Sequence, residues 1–286
     1  MKRSQNRLNT MSPKGINRRD LIKRSSAAGL ALSLPVGLLP QELMASTPKR
    51  GGIFRAAVKG GSTTDSLDGA MLLDTHNIKT SWACRNNLTE IAADGSLVGE
   101  LAESWEASAD ATTWVFNIRK DVEFHNGKTL DAEDVIFSIN HHRGEDSTSG
   151  AAGLLKGITK LQADGKNRVV FSLSGGNADF PFLLADYHLV IVPAGTSAEG
   201  WESGIGTGPY TLAEWQPGVQ SRGNRNPNYF KEGKPYFDEF LLLNVTDSVA
   251  RQNALITGTV DAIDSPELST MNQLMKVPSI EIKEAA

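Results

Sequence analysis

Residues Leu101–Ser138 read LAESWEASADATTWVFNIRKDVEFHNGKTLDAEDVIFS, and they bring three kinds of local signal into one run. From Thr113 to Arg119 apolar and polar residues alternate, so Trp114, Phe116 and Ile118 fall on one face of an expected strand. Asn126-Gly127 is the strongest short turn dipeptide, with Glu123-Phe124-His125 and Lys128-Thr129-Leu130 on its two sides. Asp131 stands where an N-cap belongs. Behind it Ala132, Val135, Ile136 and Ile139 share one helical face, and Glu133 and Asp134 lie at the positive end of the dipole. Glu100–Trp105 reads as a short helix or turn. A strand, a tight turn and a capped helix within forty residues point to a mixed α/β chain.

Working outward, Ile53–Val58 is an expected strand, closed by a Gly- and hydroxyl-rich loop from Lys59 to Asp65. Asp74 can cap a helix to Trp82 that keeps Ile78 and Trp82 on one face. Ala93-Asp94-Gly95-Ser96 is a tight turn. A second hairpin is expected from Ile158–Ala163, the turn Asp164–Asn167 and Arg168–Leu173. Leu189–Val192 suits a central strand. Gly204–Tyr210 reads as a flexible crossover before strands at Thr211–Trp215 and Phe237–Val245. Asp247 caps a helix over Ser248–Thr257 that stops at Gly258, followed by a short strand at Val260–Ile263. Strands interleave with helices without strict alternation, so the class is α/β or α+β. No internal repeat or low-complexity segment is present.

The chain has 286 residues, 40% hydrophobic and 22% charged, enough for one large or two modest domains with a real core. Residues 1–45 hold eight Lys or Arg against Asp20 and Glu42, a net of +6; the total of −4 therefore leaves −10 for the remainder. An acidic body argues against nucleic acid and against anionic lipid as partners. The basic start runs into the apolar stretch Ala27–Leu39 and the small residue Ala45, the layout of an export signal. That stretch is too short and too rich in Gly and Pro for a membrane span. Asn17–Lys23, with Arg18 and Arg19, is similar to the twin-arginine export motif. A periplasmic protein with no stable membrane anchor is the expectation. Cys84 is the only cysteine, so no internal disulfide forms, and its neighbours suggest a half-buried packing residue.

No Gly-x-Ser-x-Gly elbow, phosphate-binding Gly-x-x-x-x-Gly-Lys loop or dinucleotide fingerprint occurs. His125 beside the tight turn reads as a packing or hydrogen-bonding residue. His141-His142, with Glu145 and Asp146 nearby, reads as a solvated helix end rather than a metal site, because adjacent histidines rarely reach one ion. No enzyme, cofactor or metal is expected.

Four ordered blocks carry a family resemblance. Gly51-Gly52-Ile53-Phe54-Arg55-Ala56-Ala57-Val58 resembles an opening Gly-Gly strand. Leu101–Ser138 supplies Leu-Ala-Glu-Ser-Trp, Phe-His-Asn-Gly and Ala-Glu-Asp-Val, and Gly206-Thr207-Gly208-Pro209-Tyr210 follows. Asn224–Asp238 and Ala250–Asp261 complete the set. Together they resemble the family 5 extracellular solute-binding proteins of ABC importers, the dipeptide- and oligopeptide-binding type. The resemblance implies a periplasmic-binding-protein-like type II fold, with two lobes closing on a ligand and an extra domain on the first. It implies a signal peptide at 1–45, a first lobe from 46–77 and 189–286, and an extra domain at 78–188. The second lobe is expected to be missing.

On that resemblance the expected partners are a small solute, most simply a peptide, and an ABC permease in the cytoplasmic membrane. The candidate ligand contacts are the loop Gly61, Ser62, Thr63, Thr64 and Asp65, whose N–H groups and hydroxyls suit a peptide backbone or carboxylate, together with Trp82, Asp264 and Ser265. The alternative is an interaction module that docks on a partner chain through an uncovered face.

Overall fold

Turn chemistry and capping divide the chain into short elements, seen in a computed structural model that describes residues 48–283. The expected export segment, Arg18 and Arg19 included, lies outside the described residues. Strand β1 (Ile53–Val58) buries Ala56, Ala57 and Val58 and leads by a loop to helix α1 (Thr75–Cys84). Asp74 and Asn77 form a capping box at its start, which satisfies N–H groups the first turn leaves open. Hairpin β2 (Thr89–Ile91) and β3 (Leu97–Gly99) closes over the turn read at Ala93–Ser96.

Next come β4 (Ala102–Ala107), β5 (Thr113–Ile118), α2 (Ala132–His141), β6 (Ile158–Ala163), β7 (Arg168–Leu173) and α3 (Phe180–Leu183). The four strands make an antiparallel sheet in the order β4-β5-β7-β6. Trp114, Phe116 and Ile118 are all buried, as the alternation demanded. Phe116 meets Phe171 edge-on at 5.4 Å, and Phe171 meets Phe180 at 5.1 Å, geometry that aromatic quadrupoles favour. Val135 and Ile139 of α2 join this core. The Asp131 cap accepts from the N–H groups of Glu133 and Asp134. Asp134 is more than a dipole partner. Its fully buried carboxylate takes Lys128 Nζ at 2.5 Å and the Ala194 N–H at 2.7 Å.

Two readings fail here. Glu100–Trp105 is neither helix nor turn: Ala102–Ala107 is the edge strand β4, paired with β5 from Ala102↔Ile118 to Ala107↔Trp114. Pairing with a neighbouring strand outweighs the helix preference of Ala, Glu and Trp there. Leu189–Val192 is buried but joins no ladder. The Ile191 N–H donates to the Asn86 carbonyl at 2.9 Å, and Ser138 Oγ serves both the N–H and the carbonyl of Val192. An isolated backbone carbonyl and a serine hydroxyl meet the demand that a sheet would otherwise meet.

The chain continues through α4 (Ala198–Glu202), β8 (Tyr210–Gln216), β9 (Gln220–Arg225), β10 (Glu239–Asn244), α5 (Ser248–Ile256), β11 (Ala262–Ile263) and α6 (Met271–Leu274). With β1 these strands form a five-stranded sheet in the order β11-β1-β10-β9-β8, and β1 runs parallel to both β10 and β11. Ala56, Phe240 and Leu242 pack with Cys84 of α1 on one face. Asp247 caps α5, and Gly258 ends it with φ +73°. The Gly204–Tyr210 crossover is clamped rather than slack. The Gly208 N–H donates to the Cys84 carbonyl at 2.9 Å, and a Cβ on Gly208 would lie 2.5 Å from the Arg85 nitrogen.

Candidate functional site

Because β1, β10 and β11 are parallel, their carboxyl ends open on one edge of the sheet, and the loops after Val58, Asn244 and Ile263 meet there. Such an edge is where open α/β sheets bind ligands. Asp264 holds the loops together. Its carboxylate accepts from the Lys59 N–H at 2.8 Å and from Lys79 Nζ at 2.9 Å. The buried Arg251 guanidinium lies behind it, with Nε 4.0 Å from the carboxylate. Arg251 donates to the carbonyls of Val245 (2.7 Å), Thr246 (2.8 Å) and Ser265 (3.1 Å). Ser265 takes φ +45°, a left-handed turn that costs a non-Gly residue energy, and the Arg251 bond fixes its carbonyl.

Much of the Gly61–Asp65 loop is spent on its own shape. The Ser62 N–H donates to Asp65 Oδ2 at 3.0 Å, the Asp65 N–H returns to the Ser62 carbonyl at 3.0 Å, and the Thr64 N–H reaches Ser62 Oγ at 3.3 Å. Burial raises the Asp65 pKa, the Ser62 N–H opposes that, and the Asp74 charge adds to it. Asn244 Nδ2 binds the Gly61 carbonyl at 3.2 Å and the Gly218 carbonyl at 2.8 Å, docking the loop on the β8–β9 turn. Thr63 and Thr64 remain exposed at the tip.

Two apolar side chains that the sequence did not single out stand beside this loop. Leu73 is 74% exposed and Val219 52% exposed. Leu73 precedes the α1 cap Asp74, whose carboxylate lies against Gly60. Val219 follows Gly218, which packs on the Ser62–Thr63 backbone. The face therefore offers hydroxyls flanked by uncovered aliphatic surface. It suits a ligand with a polar backbone and apolar side chains.

Trp82 does not belong to that face. Helix α1 starts at the loop edge, where the His76 N–H donates to the Gly60 carbonyl at 3.1 Å, and runs back along the sheet. At ~1.5 Å per residue, Trp82 lies ~10 Å further along the axis than Thr75. Its ring, 46% exposed, instead lines a cavity of about 570 Å³ with Tyr229, Tyr236 and Phe237. Helical spacing gave the face of Trp82 but not the end of the sheet it serves.

The histidines are structural. His125 Nε2 bonds the Gly208 carbonyl at 3.0 Å. The solvated-end reading of His141-His142 is wrong, because His142 is fully buried with Nδ1 2.7 Å from Ser149 Oγ, and His141 bonds Asp68 at 2.6 Å and stacks on Trp201. Burial pushes the His142 pKa down to about 4, and the neighbouring His141 and His188 add to the drop. Cys84 is fully rather than half buried, and burial pushes its thiol pKa up to about 12. Among the described residues no three His, Cys, Asp or Glu side chains are placed to hold a metal ion, and no helix is long and apolar enough to cross a membrane.

The family model "Bacterial extracellular solute-binding proteins, family 5 Middle" matches residues 96–286. The chain is 28% identical over 233 residues to the probable D,D-dipeptide-binding periplasmic protein DdpA of Escherichia coli K12, covering 77% of this chain and 45% of that protein. It is 27% identical over 228 residues to di/tripeptide-binding protein 1 of Pseudomonas aeruginosa, covering 70% and 42%. Among solved structures it superposes on the periplasmic binding protein AgaA of Agrobacterium tumefaciens R10 in complex with agropinic acid. That match has a TM-score of 0.74 and 28% identity, over 79% of this chain and 46% of that one. The mixed α/β architecture is that of the type II periplasmic binding proteins. The chain spans about half the length of the curated relatives it matches.

Proposed function

Since the chain belongs to the bacterial extracellular solute-binding proteins of family 5, we propose that it is the periplasmic solute-binding component of an ABC-type importer. Its solute is a peptide or a related small zwitterion, and its downstream partner is an ABC permease in the cytoplasmic membrane. The observation that carries the reading is the edge where Asp264 and Arg251 gather the loops after β1, β10 and β11 into one open face. Exposed Thr63, Thr64, Leu73 and Val219 supply the polar and apolar contacts a short peptide needs. Relatives named for peptides support the peptide class. The role is capture and delivery, not catalysis.

In this reading residues 46–77 and 189–286 form the first lobe, which carries the five-stranded sheet and receives the rest of α1 through Cys84, and the remainder of 78–188 forms the extra domain around the four-stranded sheet. Residues 1–45 direct export by the twin-arginine route. Replacing Arg18 and Arg19 by Lys in a fusion to a periplasmic reporter should abolish its export, and undiminished export would exclude that route.

Binding is tested by calorimetry with di- and tripeptides, an opine and a nickel–histidine chelate, on this chain and on the polypeptide extended by any downstream reading frame. Saturable one-to-one heat with peptides on the extended form is the expected result. No heat with any of the probes on either form would reject the transport reading.

A second reading, an interaction module, is favoured by the apolar side chains of Val249, Ile256, Leu268 and Met275, which are 49–82% exposed around α5 and α6. Light scattering after size exclusion decides, because a monomer at all concentrations counts against it.

A further inference from the structure

The cavity of about 570 Å³ that Trp82 lines falls within the size of small-molecule pockets. It lies away from the proposed solute face. Tyr236 and Phe237 enter it just before β10 begins, whereas the solute face follows the end of that strand at Asn244. Six residues at ~3.3 Å each put the two ends ~20 Å apart.

Its charged groups fall into committed and free sets. Glu100 is committed, with its carboxylate taking Asn86 Nδ2 at 2.6 Å, the Asn87 N–H at 2.9 Å and Lys231 Nζ at 3.0 Å. Lys231 is equally committed, since it also bonds Glu90 Oε2 at 2.5 Å. The Arg85 guanidinium turns away to the carbonyls of Leu67, Trp201 and Ile205. Among the described residues, no partner takes the Lys234 ammonium or the hydroxyls of Tyr210 and Tyr236. Tyr229 only receives a long bond from Asn86 at 3.4 Å, so its own proton is unspent. The side-chain acceptors left free include the second oxygen of Glu90 and Asn87 Oδ1, because Asn87 spends only its N–H groups.

Lys234 and the hydroxyls of Tyr210, Tyr229 and Tyr236 outnumber those two acceptors, and the cavity has uncovered aromatic walls: Trp82 is 46% exposed, and Tyr236 and Phe237 are each 38% exposed. We propose that this cavity is a binding site for a carboxylate carried on a flat apolar body. The ring stacks on the Trp82–Tyr236–Phe237 wall, and the carboxylate meets Lys234 and the tyrosine hydroxyls. An arylalkanoic acid and an aromatic amino acid share this chemistry, and Glu90 tells them apart by accepting an α-ammonium group. The site goes beyond the importer reading and does not depend on it.

The test is calorimetric titration of the chain with indole-3-acetate, L-tryptophan and tryptamine. Both carboxylates are expected to bind, and tryptamine, with the ring and amine alone, is not. Trp82→Ala should weaken binding about tenfold and Lys234→Ala about threefold, with the latter loss disappearing at high salt. Both side chains are exposed, and unchanged far-UV circular dichroism confirms the fold of each variant. Tighter binding of L-tryptophan that Glu90→Gln removes assigns the site to amino acids, whereas equal binding assigns it to simple acids. Absence of heat with both carboxylates, tryptamine binding as tightly as they do, or affinities unmoved by Trp82→Ala would overturn the proposal.

Discussion

Replacing His76 by Phe should remove a large part of the acid sensitivity of this protein. The His76 ring is fully buried, stacks on Trp215 at a centroid distance of 5.1 Å, and neither of its nitrogens has a partner. Burial pushes its pKa down to about 4, against a smaller upward pull from the Leu242 backbone. In the unfolded chain the ring titrates near the ordinary value of ~6.5. Between those two values the unfolded state holds the extra proton, so stability is present above pH ~6.5 and is lost as pH falls toward 4. At pH 5 the unfolded state is favoured by a protonation factor of roughly 30, about 2 kcal/mol, against about 0.2 kcal/mol at pH 7. Phe keeps the stack on Trp215 and carries no titrating group. Urea unfolding followed by circular dichroism at pH 7, 6 and 5 should therefore show the variant losing about 2 kcal/mol less than the parent between pH 7 and 5. The comparison cancels the other titrating groups, His142 included. Parent and variant with the same pH slope, to within about 0.5 kcal/mol, would show that the ring is not held neutral by burial.

Three further outcomes follow from the same contacts. Arg251→Met strips donors from the carbonyls of Val245, Thr246 and Ser265 and should cost about 3 kcal/mol in chemical denaturation; a loss below about 1 kcal/mol would mean the loops hold without it. Asp264→Asn keeps an acceptor for the Lys59 N–H but drops the charge facing Lys79, so it should weaken solute binding about tenfold with a small change in melting temperature, read by calorimetry on the solute-binding form. Cys84, buried with its thiol pKa pushed up to about 12, should stay unlabelled by a thiol-reactive dye at pH 8 until the chain is unfolded, and prompt labelling of the folded protein would contradict its burial.

What could be read in the sequence follows from where side chains, rather than backbone partners, dictate structure. Strands β5 and β7 were legible because large apolar residues alternate in them, β6 because the turn at Asp164–Asn167 pairs it with β7, and the α2 and α5 caps because Asp131 and Asp247 use local hydrogen bonds. Strand β9 gave no signal, since its buried face is built from Ser221, whose hydroxyl meets Thr80 Oγ1 at 2.7 Å, and Gly223, which lies under the Phe240 ring. Small residues chosen for close approach carry no hydrophobic period. Leu189–Val192 misled for the opposite reason. It has the composition of a central strand, but Asn86, Ser138 and Asp134, distant in sequence, take up backbone groups of this segment and of Ala194.

The candidate site divides along the same line. Asp264 and the Gly61–Asp65 loop were legible because loops at the ends of expected strands are natural ligand contacts, whereas Leu73 and Val219 became visible only once their surroundings left them uncovered. Trp82 shows the limit most clearly. An exposed aromatic on a helix after the first strand looks like a ligand contact at the strand's end. Yet a helix that leaves the carboxyl edge must run back toward the amino edge, so a residue two turns in serves the far side. In a strand–loop–helix unit, then, only the loop and the first turn of the helix can reach the cleft edge, and Trp82, two turns in, lines a separate cavity instead.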